Sequence, residues 1–213
     1  MPIAPKTAAL VASGVALLGI GAMAVATVMR PAGDIFAACR NGAVAGGTST
    51  IGGPFELVDE TGKTVTDKDV ITGPTLVYFG YTFCPDVCPL DATRNAEATY
   101  DLEDRGYEVT PVFISVDSER DTPEVMAEFT DIMHPRMLGL TGSADQIKAA
   151  SKAYKTYFSV QTPGDPYTLI DHSTQSYLMF PEYGFVDFFS HNDPANVVAD
   201  KMACYIDAVE AAK

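Results

Sequence analysis

One junction constrains the fold more than any other feature. The β-rich run Thr75 to Phe79 stops just short of Cys84-Pro-Asp-Val-Cys88, and the segment from Leu90 to Arg105 carries a helical pattern. A buried strand feeding directly into a helix is the first half of a β-α-β unit. Val109 to Val116 reads as the next buried strand. Asp121-Thr-Pro-Glu124 reads as a capping box opening a helix through Phe129, and Met137 to Leu140 as a short strand. Ser143-Ala-Asp-Gln146 is a second capping signal, before a helix to about Tyr157.

Hairpins flank this alternation. Phe55 to Val58 and Lys63 to Thr66 bracket a turn at Asp59-Glu-Thr-Gly62. Ser176 to Phe180 and Gly184 to Phe189 bracket Pro181 to Tyr183, and Asp193-Pro194 starts a last helix. The order predicts an α/β sheet, and its antiparallel ending suits a thioredoxin-like architecture with an N-terminal hairpin. The Tyr78, Phe79 and Tyr81 cluster and Phe188-Phe189 read as core and pocket wall.

Ahead of the domain, Ala8 to Met29 is apolar without a charged residue, between Lys6 and Arg30. Roughly 20 such residues span a bilayer, so residues 1–30 are expected to form a single transmembrane signal anchor. Ala24-Val-Ala26 keeps a cleaved signal peptide open as the alternative. Lys6 on one side and Arg30 with Arg40 on the other leave the positive-inside rule undecided. Residues 31–53, with Gly42, Gly46, Gly47, Gly52 and Gly53, read as a tether, leaving 54–213 as the folded domain. The chain has 14 basic and 28 acidic residues, a formal charge of −14. With no basic stripe, that charge argues against nucleic acid as a partner.

The cysteine spacing narrows the chemistry. A thioredoxin redox motif is C-x-x-C, and this one is C-x-x-x-C. On a regular helix, positions i and i+4 hold Cβ atoms about 5–6 Å apart, wider than the roughly 3.5–4.5 Å of a disulfide. A dithiol so held favours chelation, unless a loop brings the sulfurs closer. Two thiolates at a helix N-terminus plus one imidazole suit a soft ion such as Cu(I). His172, in a loop before a predicted strand, is the candidate third ligand. Zinc stays open if a fourth ligand such as Cys39 joins, as do a metal-free redox dithiol and a structural disulfide. Asp86, between the cysteines, is expected at the helix start. Met133, His134 and Met137, interrupted by Pro135, read as a surface loop, and His191 as an exposed loop residue.

Tyr81-Thr-Phe-Cys-Pro-Asp-Val-Cys-Pro89, Ser115-Val-Asp-Ser-Glu-Arg-Asp-Thr122 and Ile170-Asp-His172 followed by Tyr177-Leu178 resemble the Sco/SenC family in content and order. The resemblance covers roughly residues 50 to 211 and implies a thioredoxin-like fold. It implies one copper ion, Cu(I) or Cu(II), held by Cys84, Cys88 and His172, with Asp117 beside the Cu(II) form of the site. It further implies a copper metallochaperone for the binuclear copper centre of cytochrome c oxidase subunit II. The alternative function is a thiol-disulfide oxidoreductase reducing the cysteines of that centre. Other periplasmic copper chaperones or thiol reductants would be further partners. The expected location is the inner membrane, single-pass, with the domain facing the periplasm. The thioredoxin cis-proline has no counterpart just before Ser176, which favours the metal reading.

Cys39 and Cys204 lie outside these motifs. On the last helix, Val198, Met202, Tyr205, Ile206 and Val209 form an apolar arc, and Cys204 falls roughly 140° from its centre. A bare surface thiol is a liability in an oxidising compartment, so a Cys39–Cys204 disulfide is expected, against two free cysteines.

Overall fold

Six consecutive buried residues, Thr75–Gly80, form β3, an interior strand of the sheet. A strand apolar throughout must be covered on both faces, and its alternating side chains show what covers each. The Tyr78 hydroxyl donates to Asp91 on the following helix at 2.9 Å. Phe79, pointing the other way, meets Tyr154 of a later helix with ring centroids 5.2 Å apart. The structure, a computed structural model, describes residues 34–40 and 50–213. The expected membrane span and most of the tether lie outside them. Among the described residues no helix is long and apolar enough to cross a membrane.

In chain order the elements are β1 (Glu56–Asp59), β2 (Thr64–Thr66), α1 (Asp67–Val70), β3 (Thr75–Gly80), α2 (Val87–Asp104), β4 (Thr110–Ser115), α3 (Pro123–Met133) and β5 (Leu138–Thr141). They continue with α4 (Ala144–Tyr154), β6 (Phe158–Val160), β7 (Ile170–His172), β8 (Ser176–Phe180), β9 (Gly184–Phe189) and α5 (Ala195–Ala211). A seven-stranded sheet runs β2-β1-β5-β4-β3-β8-β9, and β6 and β7 form a separate two-stranded ribbon. β3, β4 and β5 are parallel, from Thr75↔Thr110 through Gly80↔Ser115 and from Val112↔Leu138 through Ile114↔Leu140. Parallel neighbours need crossover connections, which α2 and α3 supply. Both flanking hairpins are antiparallel, as expected, and β8 pairs β3 antiparallel from Thr75↔Met179 to Tyr78↔Ser176. Residues Cys39–Lys213 make one compact unit. Of the unit before it, residues 34–38 show a turn in which Asp34 Oδ1 accepts from the Phe36 amide at 3.0 Å.

Several local expectations are corrected. α2 begins at Val87, three residues earlier than its apolar pattern suggests, which puts Cys88 in its first turn. α4 ends at Tyr154 because Lys155 turns left-handed, φ 52°, and the chain departs into β6, a strand too short to show in the sequence. The Ser143–Gln146 capping box is present. Asp121 is not a cap: Thr122 takes that role, accepting from the Val125 amide, while Asp121 turns inward. Pro194 occupies the N-cap position of the last helix without a side-chain capping bond, and the Asp193 carboxylate instead accepts from the Ser190 amide at 2.8 Å. Phe189 is buried but Phe188 is exposed, as alternation along the edge strand β9 requires.

Two histidines also differ from expectation. His134 is buried rather than on a surface loop, with the tilted ring of Tyr100 packed against it at 4.1 Å between centroids. Its Nδ1 accepts from the Arg136 amide at 3.0 Å. His191 is half-buried, with Nδ1 2.8 Å from the buried Asp91.

Candidate metal centre

The parallel strands deliver their carboxyl ends to one edge, where sites collect in open α/β sheets. At the end of β3 the chain turns back, the Cys84 amide donating to the Tyr81 carbonyl at 3.3 Å. Cys84 therefore sits on a loop, not on the helix, and the i, i+4 spacing argument does not apply to it. Its sulfur accepts from the Cys88 amide at 3.4 Å, filling the place a capping side chain would take. Asp86 occupies the N-cap position, but its exposed side chain makes no capping hydrogen bond. The Cys84 sulfur thus stands at the N-terminus of α2, one hydrogen bond from the backbone of the second cysteine.

Cys88 is fully buried. A Cβ at Gly80 would stand 3.1 Å from its sulfur and 2.8 Å from ring atoms of Phe113 and Tyr78. Only glycine lets the sulfur settle this close to the strand. Burial pushes the Cys88 thiol well above its ordinary pKa, and the neighbouring Cys84 adds to the shift. Without a cation the thiol keeps its proton, and ligation requires the proton to leave.

His172 arrives from β7 rather than from a loop, its backbone paired with Phe158 of β6. Its Nδ1 lies 2.8 Å from the Ser173 carbonyl and its Nε2 3.1 Å from the Cys88 sulfur. An Nδ1–H donated to that carbonyl leaves the Nε2 lone pair facing the cysteines. The rings of Tyr78 and Tyr81 stand edge-on to the imidazole, centroids 6.1 and 5.8 Å away. Burial raises the Tyr81 phenol, so it stays neutral beside the site.

The ligand atoms of Cys84, Cys88 and His172 lie within 4.8 Å of one another. Two sulfurs and an imidazole, without a carboxylate, fit a soft ion. Both cysteines are free thiols. Cys39, the possible fourth ligand for zinc, is instead joined to Cys204, with Cα atoms 5.8 Å apart. Asp117 is not gathered with the three: its carboxylate takes the Nε–H of Arg120 and the amides of Glu119 and Arg120.

Sequence reasoning missed Asp121 as a structural hub. Its buried carboxyl accepts from the Thr82 amide at 3.0 Å and from the hydroxyls of Thr82 and Ser115. It ties the cysteine loop to the end of β4. Burial raises its pKa against those hydrogen bonds. The signal was present in Asp121-Thr-Pro, but a capping pattern explained the same residues locally.

A mixed sheet of this order, with a dithiol at the β3–α2 junction and a histidine from a side ribbon, defines a thioredoxin-like α/β protein with a candidate three-ligand site. The SCO1/SenC family profile matches residues 43–207, and the chain belongs to that family. It is 54% identical to Protein SenC of Rhodobacter capsulatus over 210 residues, 99% of this chain and 95% of that one. It is 35% identical to the human mitochondrial SCO1 homolog, covering 75% of this chain and 54% of the relative. The chain thus spans about half the length of that mitochondrial relative. Arabidopsis thaliana ScoI solved with copper bound superposes with a TM-score of 0.69 at 40% identity, over 76% of this chain and 99% of that one. Yeast Sco1 with copper bound gives 0.69 at 38% identity, over 74% and 89%.

Proposed function

We propose that this chain is a copper metallochaperone that carries one ion on Cys84, Cys88 and His172 and helps assemble the binuclear copper centre of cytochrome c oxidase subunit II. The observation that carries the reading is the convergence of two free thiols and one imidazole nitrogen within 4.8 Å. The copper-bound relatives support copper as the cargo. Residues 1–30 anchor the domain in the inner membrane, and it works on the periplasmic side, where an exported dithiol can meet an extracytoplasmic oxidase domain. Acidic surface charge steers a basic partner face toward it.

Each residue has a distinct task. Cys84, capped by the helix amide, supplies the more accessible thiolate. Cys88 supplies a buried one that must lose its proton for copper to bind. His172 completes a third position and favours the harder Cu(II) state. An incoming pair of thiols on the target can displace these ligands one at a time.

A second reading is thiol-disulfide exchange on the target's cysteines. The free Cys84–Cys88 pair favours it: both thiols would be oxidised to one disulfide as a target disulfide is reduced to two thiols.

Anaerobic titration of the full-length protein with Cu(I), then mixing with metal-free subunit II, tests the first reading. One equivalent should bind and move to the target. A Cys84→Ser, Cys88→Ser double variant that kept stoichiometric copper after dialysis would overturn the site. Target cysteines reduced without copper transfer would favour the second reading.

A further inference from the structure

The ribbon that carries His172 is not hydrogen-bonded into the main sheet: β6 and β7 pair with each other alone. Something other than a strand ladder must therefore set the distance from His172 to the cysteines. Arg120 reaches every segment concerned. Its Nε donates to the Asp117 carboxylate, and its Nη1 donates to the Pro166 carbonyl at 3.1 Å. Its guanidinium lies over the rings of Phe83 and Tyr81, 4.6 and 5.8 Å from their centroids. Phe83 and Tyr81 flank the cysteine loop, Asp117 belongs to the β4–α3 loop, and Pro166 lies between β6 and β7. Tyr81 extends the connection, its hydroxyl accepting from the Ile170 amide at 3.2 Å while its ring stands against His172.

We propose that Arg120 is a positioning residue that clamps the His172 ribbon onto the cysteine loop, and that Asp117 serves the site by orienting Arg120 rather than by binding metal. The functional half of this statement rests on the copper reading above. A planar guanidinium can fork between a carboxylate and a carbonyl while its face covers aromatic rings. A lysine ammonium can hold only part of that set. Asp117 is nearly buried, and its oxygens are committed to Arg120 and two backbone amides. A cavity of ≈ 400 Å³ lined by Asp117, Arg120, Val160, Asp165, Thr168 and Ile170 lies between the β4–α3 loop and the β6–β7 ribbon. Freed from Arg120, the ribbon has room to swing into that space and draw His172 from the sulfurs.

Amide hydrogen exchange of the metal-free, full-length protein tests the clamp directly. In Arg120→Ala, exchange across residues 158–172 should quicken about tenfold while β3, β4 and α5 stay protected. Arg120→Lys should move in the same direction, and Asp117→Asn should follow it more weakly. Measured separately, Cu(II) affinity should fall about tenfold in Arg120→Ala and Cu(I) affinity far less, because two thiolates hold Cu(I) without the imidazole. Should Arg120→Ala loosen the whole sheet, Arg120→Lys, which keeps a charge beside Asp117, decides. Unchanged ribbon exchange in Arg120→Lys alongside a native-like or disrupted Arg120→Ala overturns the clamp. Loss of Cu(II) in Asp117→Asn with an undisturbed ribbon overturns the indirect role given to Asp117. The exchange readout needs no metal. A wild-type protein that bound no copper would therefore sink the copper reading, while the clamp would still stand or fall on ribbon exchange alone.

Discussion

The amide of Cys88 donates to the sulfur of Cys84, 3.4 Å away, so one candidate ligand caps the helix on which the other sits. The two cysteines are therefore unequal. Cys84 faces a helix N-terminus, whereas Cys88 lies buried against β3 with its proton held by burial. Any ion entering the site must offset that retained proton, which couples loading to pH.

His172→Ala should weaken Cu(II) binding at least tenfold, about 1.4 kcal/mol, and Cu(I) binding much less. The ultraviolet–visible band of the Cu(II)–thiolate complex should disappear or shift. An unchanged spectrum together with unchanged affinity for both valences would remove His172 from the ligand set.

Gly80→Ala should be costly. The new methyl group would approach ring atoms of Phe113 and Tyr78 at 2.8 Å and the Cys88 sulfur at 3.1 Å. Overpacking of this kind costs about 1–3 kcal/mol and should also displace the Cys88 sulfur. Gly73→Ala, with nothing within 4 Å of its added Cβ, is the control. Urea midpoints and copper stoichiometry of the two variants, compared side by side, give the answer.

His134 should make the fold acid-sensitive. Burial holds its imidazole below the ordinary value of 6.5, outweighing the opposing charge of Glu103. As pH falls, the unfolded chain takes up the proton first. Stability is therefore full above 6.5 and declines below it, until the folded-state ring also protonates. His134→Asn keeps an acceptor for the Arg136 amide and should flatten this limb. Unfolding free energies measured above 6.5 and about one pH unit lower would show the slope disappear, and an unchanged slope would acquit His134.

Most of the sheet was legible because its strands and helices are long enough for apolar periodicity to register, from Thr75 to Gly80 and again from Val112 to Ile114. The three side chains that the structure gathers are the three that the motifs singled out. What escaped was short or non-local. β6 and β7 have three residues each, too few for a pattern, so His172 read as a loop residue. Asp121 had a satisfactory local explanation, and only Thr82 and Ser115, brought from two other segments, reveal its role. His134 is buried by Tyr100 from α2, which no local window contains.

Cys204→Ala should leave copper binding at Cys84 and Cys88 intact and lower stability. The Cys39–Cys204 bond closes a loop of sequence separation 165, worth up to about 5 kcal/mol in the chain-entropy model and less where the unfolded chain keeps structure. Peptide mapping without reduction should recover Cys39 and Cys204 in one cross-linked fragment. Alkylation of both before any reductant is added would count against the bond.

That bond also decides how the domain bears mechanical load. Tension on the polypeptide ahead of Cys39 passes through sulfur into α5, which packs against α2. It does not travel along the backbone to β1, which lies beside the edge strand β2 and whose ladder could be unzipped one hydrogen bond at a time. A tug strong enough to unzip such a border must instead shear a helix pair or break a covalent bond. The sheet edge is thereby shielded from any strain arriving along the N-terminal segment.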